Sequence, residues 1–280
     1  MDLSLSPVTP LAASAGGVVY QGISFSLPRG YRPLLLDLHV PAGGGGAGER
    51  RGEGGAVPVV VWIHGGGFYS GDRRYLPDTM EPDSVFEALV AAGIAVATVD
   101  YRLSGEAVFP AQLDDVKAAL AYLRTYAAPL GLDPERIGVW GESAGGALAA
   151  LAALTDGGVA AAAAWYPVTD LALLDQERTD TPCARLIGGA PSALPEAAAQ
   201  ASPVTHVSAA APPFLLLHGT ADESLPARHS ERLHALLLGA GVRSTYLPVE
   251  GAGHCFTHCG HVPALIDATV DFLARELRSR

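Results

Sequence analysis

Apolar residues in this chain fall alternately into short continuous runs and helical stripes. Val57-Pro58-Val59-Val60-Val61-Trp62-Ile63 and Ile94-Ala95-Val96-Ala97-Thr98-Val99 are the kind of run expected of strands covered on both faces. Val159 to Tyr166 and Phe214-Leu215-Leu216-Leu217 read the same way, and Ser244 to Val249 reads as a further strand. Residues 18–27 and 34–40 suggest a hairpin-like start, its second strand stopped by Pro41. Between these runs lie helical patterns. Leu113, Val116, Leu120 and Leu123 recur at spacings of three and four between Pro110 and Arg124. Further helices are expected at about Pro82 to Ala92, Ala227 to Leu238, and Val262 to Leu277, the last with Leu265, Ile266, Val270, Phe272 and Leu273 on its apolar face. Such β-α alternation implies a mostly parallel sheet with helices on both faces.

Two stretches break the rhythm. Residues 43–56 hold eight glycines with Glu49, Arg50, Arg51 and Glu53 and no large apolar side chain. Burial cannot offset their ordering entropy, so a mobile surface loop is expected. Residues 168–205 are of mixed polarity, with Gly188-Gly189, Pro191 and Pro195, and are expected to form a small cap.

Composition narrows the class. The chain has 280 residues, 49% of them hydrophobic and 17% charged, which suits one large core and a single domain over 1–280. A net charge of −11 without any basic cluster argues against nucleic acid or an anionic membrane as partner. The start, Met1-Asp2-Leu3-Ser4-Leu5-Ser6-Pro7, lacks the basic and apolar regions of a signal peptide, so a cytoplasmic protein is expected. Thr155-Asp156-Gly157-Gly158 interrupts the longest apolar stretches well short of the roughly 20 residues that cross a bilayer, so no membrane insertion is expected. Cys183, Cys255 and Cys259 make no even framework and are expected to be reduced. A homodimer is compatible with the sequence, which leaves the oligomeric state open.

The chemistry centres on Arg136-Ile137-Gly138-Val139-Trp140-Gly141-Glu142-Ser143-Ala144-Gly145-Gly146, a β-branched run ending in Gly-x-Ser-x-Gly and opening an Ala/Leu-rich helix. A nucleophilic serine must stand clear of strand and helix on a sharp turn, and the close backbone approach there explains Gly141 and Gly145. The helix start aims N–H groups beside Ser143. A second set of donors is expected from His64-Gly65-Gly66-Gly67-Phe68, straight after a buried strand. The hydroxyl needs a base and the base an orienting acid. Asp222 and His254 follow predicted strands at their carboxyl ends, as Ser143 does, and parallel strands bring those ends to one edge. Asp100 is read as the partner of Arg102 in a structural ion pair, His64 as a support of the glycine loop, and His218 as a buried strand-end residue. Cys255, His258, Cys259 and His261 share one short loop, whereas tetrahedral zinc sites usually draw on two segments, so no metal is expected there.

His64-Gly65-Gly66-Gly67-Phe68, Asp100-Tyr101-Arg102-Leu103-Ser104, Phe109-Pro110-Ala111-Gln112, Gly141 to Gly146, His218-Gly219-Thr220-Ala221-Asp222 and Gly251-Ala252-Gly253-His254 together resemble the HGGG serine esterases of the α/β-hydrolase fold. Within these the resemblance is to the hormone-sensitive-lipase-like and acetyl xylan/feruloyl-esterase-like branch, and it runs from about residue 34 to the end. It implies an eight-stranded, mostly parallel sheet with an antiparallel second strand, flanked by helices with a small cap insertion, and a carboxylesterase without cofactor. It also implies Ser143, Asp222 and His254 as catalytic triad and the N–H groups of Gly66, Gly67 and Ala144 as oxyanion donors. Small-molecule esters are the expected substrates, lined by Phe68, Tyr69, Phe109, Trp140 and Leu225, with Leu171, Leu173 and Leu174 as further candidates. An arylformamide substrate on the same machinery and a non-catalytic binding protein on the same scaffold are the alternatives.

Overall fold

The computed structural model describes residues 11–12, 17–42 and 55–278. Residues 43–54 of the glycine-rich stretch lie outside the described residues; only Gly55 and Ala56 of it are placed, leading into the next strand.

The continuous apolar runs form the middle of one sheet. Its strands are β1 (Leu11–Ala12), β2 (Val18–Ser26), β3 (Leu34–Val40), β4 (Val57–Ile63), β5 (Ala95–Val99), β6 (Leu132–Glu142), β7 (Ala161–Trp165), β8 (Phe214–Gly219) and β9 (Ser244–Val249), in the spatial order β1-β2-β3-β5-β4-β6-β7-β8-β9. Eight of them, β2 to β9, make the expected mostly parallel sheet, and β1 adds two residues at one edge. β3 runs antiparallel to both its neighbours, while β5, β4, β6, β7, β8 and β9 are mutually parallel. This is the sheet of an α/β hydrolase.

The helices are α1 (Ser84–Ala91), α2 (Ala111–Thr125), α3 (Ala127–Leu130), α4 (Ala144–Thr155), α5 (Pro182–Ile187), α6 (Pro195–Gln200), α7 (Arg228–Gly239) and α8 (Val262–Arg278). Strand alternation divides the core into two layers. Val59, Val61 and Ile63 of β4 face the layer that holds Leu113, Val116, Leu120 and Leu123 of α2 and most of α4. Val60 and Trp62 face the opposite layer, with Phe86 and Leu89 of α1 and Ile266, Val270 and Leu273 of α8. From the sequence no element is expected at β1, α3, α5 or α6; α3 ends at Gly131 in the left-handed conformation (φ 72°) and turns the chain into β6. Within 168–205 the chain forms α5, α6 and two 3-10 turns. Thr181 caps α5 by accepting the Ala184 N–H at 3.1 Å, with Pro182 at its first position. Among the described residues, no helix is long and apolar enough to cross a membrane.

The ion pair expected between Asp100 and Arg102 does not form. Asp100, buried at the end of β5, pairs instead with Arg73 (3.3 Å) and Arg32 (3.5 Å). Arg102 points the other way, onto Asp115 of α2 at 2.8 Å. Residues two apart share a side only while the strand continues, and β5 ends at Val99, before both; the two side chains diverge and sequence proximity is a poor guide to pairing here.

Candidate active site

Ser143 sits between β6 and α4 at φ 52°, ψ −117°, a conformation an L-residue keeps only when its surroundings impose it. Its N–H is held by the carbonyl of Trp165 at 2.9 Å. The turn is tight enough that a Cβ on Gly141 would strike the carbonyl of Gly145, and one on Gly145 would strike the backbone of Ile63 and His64. The strand-end prediction for the other two residues also matches the geometry. Asp222 follows β8 and His254 follows β9, and both reach the carboxyl edge on which Ser143 stands.

Ser143 Oγ lies 3.0 Å from His254 Nε2, and His254 Nδ1 lies 2.7 Å from Asp222 Oδ2. With Nδ1–H donated to the carboxylate, neutral His254 presents a lone pair on Nε2 to the serine hydroxyl. Asp222 is buried, and its Oδ1 accepts the N–H groups of Ser224 (3.0 Å) and Leu225 (2.8 Å). Burial alone would raise its pKa, but the hydrogen bonds from His218, His254 and Leu225 outweigh it and hold the carboxyl well below its ordinary range. Burial likewise pushes His254 towards neutrality, yet its bond to Asp222, with a smaller contribution from Cys255, raises its pKa above the ordinary imidazole value. His218, buried as expected, donates Nε2–H to the Leu225 carbonyl at 2.7 Å, accepts from Ser230 Oγ at 2.8 Å, and so braces the Asp222 turn from behind.

Facing this chain of hydrogen bonds is the glycine loop after β4. Gly66 (φ 91°) and Gly67 (φ 61°) both occupy the left-handed region. Their N–H groups bond to no acceptor among the described residues, and Ala144 at the start of α4 has no intrahelical acceptor for its own. All three residues line one cavity with Ser143 and His254. His64 supports the loop as expected: burial lowers its pKa to about 4, its ring stacks on Tyr101 at 4.3 Å, and its Nδ1 lies 2.9 Å from the Gly65 carbonyl. The Tyr101 hydroxyl donates to the carbonyls of His64 (3.0 Å) and Gly65 (3.1 Å).

Residues 49–237 match the BD-FAE family, a span that holds the glycine loop, the serine turn and Asp222. The chain belongs to the BD-FAE family. Among its relatives is the probable carboxylic ester hydrolase LipM of Mycobacterium tuberculosis, 33% identical over 63% of this chain and 44% of that protein. A truncated carbohydrate esterase from gut microbiota superposes with a TM-score of 0.80 at 26% identity, over 97% of this chain and 100% of that one. The propionate-bound esterase Est2 of Thermogutta terrifontis superposes with a TM-score of 0.71 at 25% identity, over 93% of this chain and 94% of that one. The chain spans about half the length of the curated relatives it matches.

The cavity of this BD-FAE protein has a volume of about 520 Å³. Phe68, Tyr69, Leu225 and Leu174 line it as anticipated, but Phe109, Trp140, Leu171 and Leu173 do not. Trp140 sits on the β6 face opposite Val139 and packs with Trp62 (5.5 Å) and Trp165 (5.2 Å) in the α1/α8 layer. Two residues short of the strand end, it is wholly covered by these neighbours and does not reach the pocket. Phe109 precedes α2 and packs at the edge of the other layer, where its N–H bonds the Leu186 carbonyl. Leu171 is committed to that same core, and Leu173 uses its carbonyl to hold Arg228.

Wall residues of this BD-FAE site not expected from the sequence include Tyr75, Glu142 and Cys183, and Cys255 of the Cys/His loop lines it as well. Burial raises the Tyr75 pKa to about 12 and the Cys183 pKa to about 12, so both are neutral walls. Cys255 follows His254 at φ 56°, its carbonyl tied to Thr79 Oγ1 at 2.5 Å. Of the neighbouring residues, Cys259 Sγ contacts His261 Nδ1 at 3.6 Å on the outer side of the loop. Glu142 is the one with a legible signal, since a carboxylate ending the buried run Ile137 to Gly141 is costly to bury without a partner.

Proposed function

We propose that this BD-FAE protein is a serine carboxylesterase that hydrolyses esters of small acyl groups through an acyl-enzyme. The observation carrying the reading is the continuous chain Asp222–His254–Ser143, which shares its cavity with Gly66, Gly67 and Ala144, whose N–H groups bond to no acceptor among the described residues. Ser143 Oγ attacks the ester carbonyl while His254 Nε2 takes its proton, and Asp222 stabilises the imidazolium. The three N–H groups receive the oxyanion, each such donor supplying about 100 to 1,000-fold in rate. His254 returns its proton to the departing alcohol; a water then attacks the acyl-enzyme by the same route, freeing the acid and Ser143.

The names of the relatives support the reaction class, and the propionate in the Est2 structure supports a short acyl group. Residues 168–205 act as the cap, a role supported by Leu174, Asp175, Thr181, Pro182 and Cys183 on the cavity wall. The test is hydrolysis of p-nitrophenyl esters from acetyl to decanoyl by the native chain and by Ser143→Ala. Turnover of the short esters that vanishes in the variant is the expected result. A folded native chain that turns over none of them, or a variant as active as the native, overturns the reading.

A further inference from the structure

The Ser143 hydrogen-bond chain does not use one group on the cavity wall, the carboxylate immediately before the nucleophile. Glu142 ends β6, is 1% exposed, and reaches across to the loop after β4, where it accepts the N–H of Gly65 at 2.5 Å. The contact is close enough that a Cβ on Gly65 would collide with Oε1, Oε2 and Cδ of Glu142. Gly65 is therefore a glycine because the carboxylate occupies the side-chain position. Among the described residues no Lys or Arg pairs with Glu142; burial raises its pKa to about 7 against the opposing pull of the Gly65 N–H, of His254 and of the Tyr166 hydroxyl. Retention of so costly a group points to a task that an apolar residue cannot perform.

The position of Gly65 identifies the task. β4 and β6 run parallel with Ile63 level with Gly141, so the strand ends carry Gly65 and Ser143 out side by side. The next two peptides are those of Gly66 and Gly67, which line the cavity and whose N–H groups bond to no acceptor among the described residues. The Tyr101 hydroxyl fixes the Gly65 carbonyl from below, and Glu142 fixes its N–H from the elbow side. A peptide held at both ends sets the direction of the following ones, and both Gly66 and Gly67 are otherwise free to turn.

We propose that Glu142 is a positioning residue that ties the glycine loop to the nucleophile turn through the Gly65 N–H, and so aims the Gly66 and Gly67 donors at the oxyanion formed on Ser143. This rests on the esterase reading above. Its requirement is for a hydrogen-bond acceptor at Oε1, which a glutamine supplies and an alanine does not.

The experiment compares kcat and KM for p-nitrophenyl acetate in the native chain, Glu142→Gln, Glu142→Ala and Ser143→Ala, with folding of each checked by near-UV circular dichroism. Glu142→Ala is expected to lower kcat about 100-fold or more, the size of a lost oxyanion donor, with KM within about 3-fold. Glu142→Gln is expected to recover at least about 10-fold of that loss, as its amide oxygen again accepts from Gly65. A glutamine variant as slow as the alanine variant would show that the charge rather than the acceptor matters and would overturn the proposal. So would an alanine variant within about 3-fold of native. Because Glu142→Gln keeps size and shape, it reports even where the alanine variant unfolds: a folded glutamine chain slowed 100-fold refutes the proposal by itself. Failure of the esterase reading is separate, and shows as a native chain inactive on every ester or as full activity in Ser143→Ala.

Discussion

A single methyl group at Gly145 separates activity from stability. Gly145 is the second residue of α4, where alanine would favour helix by about 1 kcal/mol on propensity alone. The surroundings oppose it: the new Cβ would meet Ile63 O, His64 O and Ile63 C, all within 3.0 Å and all backbone at the end of the central strand β4. None of these atoms can rotate away, so the start of α4 has to move off β4 by something on the order of 1 Å. Overpacking of this kind costs about 1–3 kcal/mol, and the helix gain offsets about 1 of it, leaving roughly 0–2 kcal/mol and a fall in Tm of at most about 4 °C. The same displacement carries Ser143 and the Ala144 N–H with it, and a misplacement of about 1 Å can reduce turnover by about 100-fold. Gly239 at the end of α7 is the control: a Cβ there meets nothing within 4 Å, so Gly239→Ala should raise Tm by about 1–2 °C with kcat unchanged. Differential scanning calorimetry and p-nitrophenyl acetate turnover on both variants decide the matter. A Gly145→Ala chain that keeps kcat within about 3-fold of native would refute the argument that close backbone approach sets the geometry of the nucleophile.

Because the His254 pKa is raised and only the neutral ring is a base, kcat/KM should fall on the acid side with a midpoint above the ordinary imidazole value of about 6.5. The groups around the ring that set this midpoint are Asp222, Cys255 and Glu142. Asp222→Asn leaves burial to act with less opposition, so the midpoint should move down while the rate drops; a pH–rate profile whose acid limb stays in place would contradict the assignment. Asp37, 2% exposed, accepts the Gly22 N–H at 2.6 Å and pairs with Arg73 at 3.0 Å and Arg74 at 2.6 Å, which together pin the loop after the glycines to β3. Burial raises its pKa but these partners outweigh it and leave it lowered, so its contribution to stability is full above the unfolded value of about 3.9 and is lost as pH falls through the lower folded value. Asp37→Ala, which leaves Arg73 to Asp100 alone and the Gly22 N–H without its acceptor, should cost about 1–3 kcal/mol in urea unfolding at pH 7, and the difference from native should shrink below pH 4; a constant difference down to pH 2 would exclude the ionic origin.

The sequence carried the parts of this molecule that repeat a local rule. Continuous apolar runs marked β4, β5, β7 and β8, and the spacing of Leu113, Val116, Leu120 and Leu123 marked α2, because burial on one or two faces imposes a period on the chain. Placement of Ser143, Asp222 and His254 together followed from one topological step, since parallel strands deliver their carboxyl ends to the same edge. What was hidden depends on which long-range neighbours meet. Arg73 and Arg74 reach Asp37 across 36 and 37 residues, and Glu142 reaches Gly65 across 77, distances over which local spacing gives no signal. Trp140 is a matter of depth along the strand: alternation puts it in the layer opposite Val139 and sends Glu142 to the same side, but Trp140 lies two residues below the strand end and is covered, whereas Glu142 stands at the edge. A carboxylate delivered by a buried strand to that side, one residue from a serine nucleophile, has to find a donor beyond the strand ends. The backbone leaving β4 is the neighbour in register, and Gly65, which must lack a side chain for the contact to fit, is the residue in that backbone that admits it.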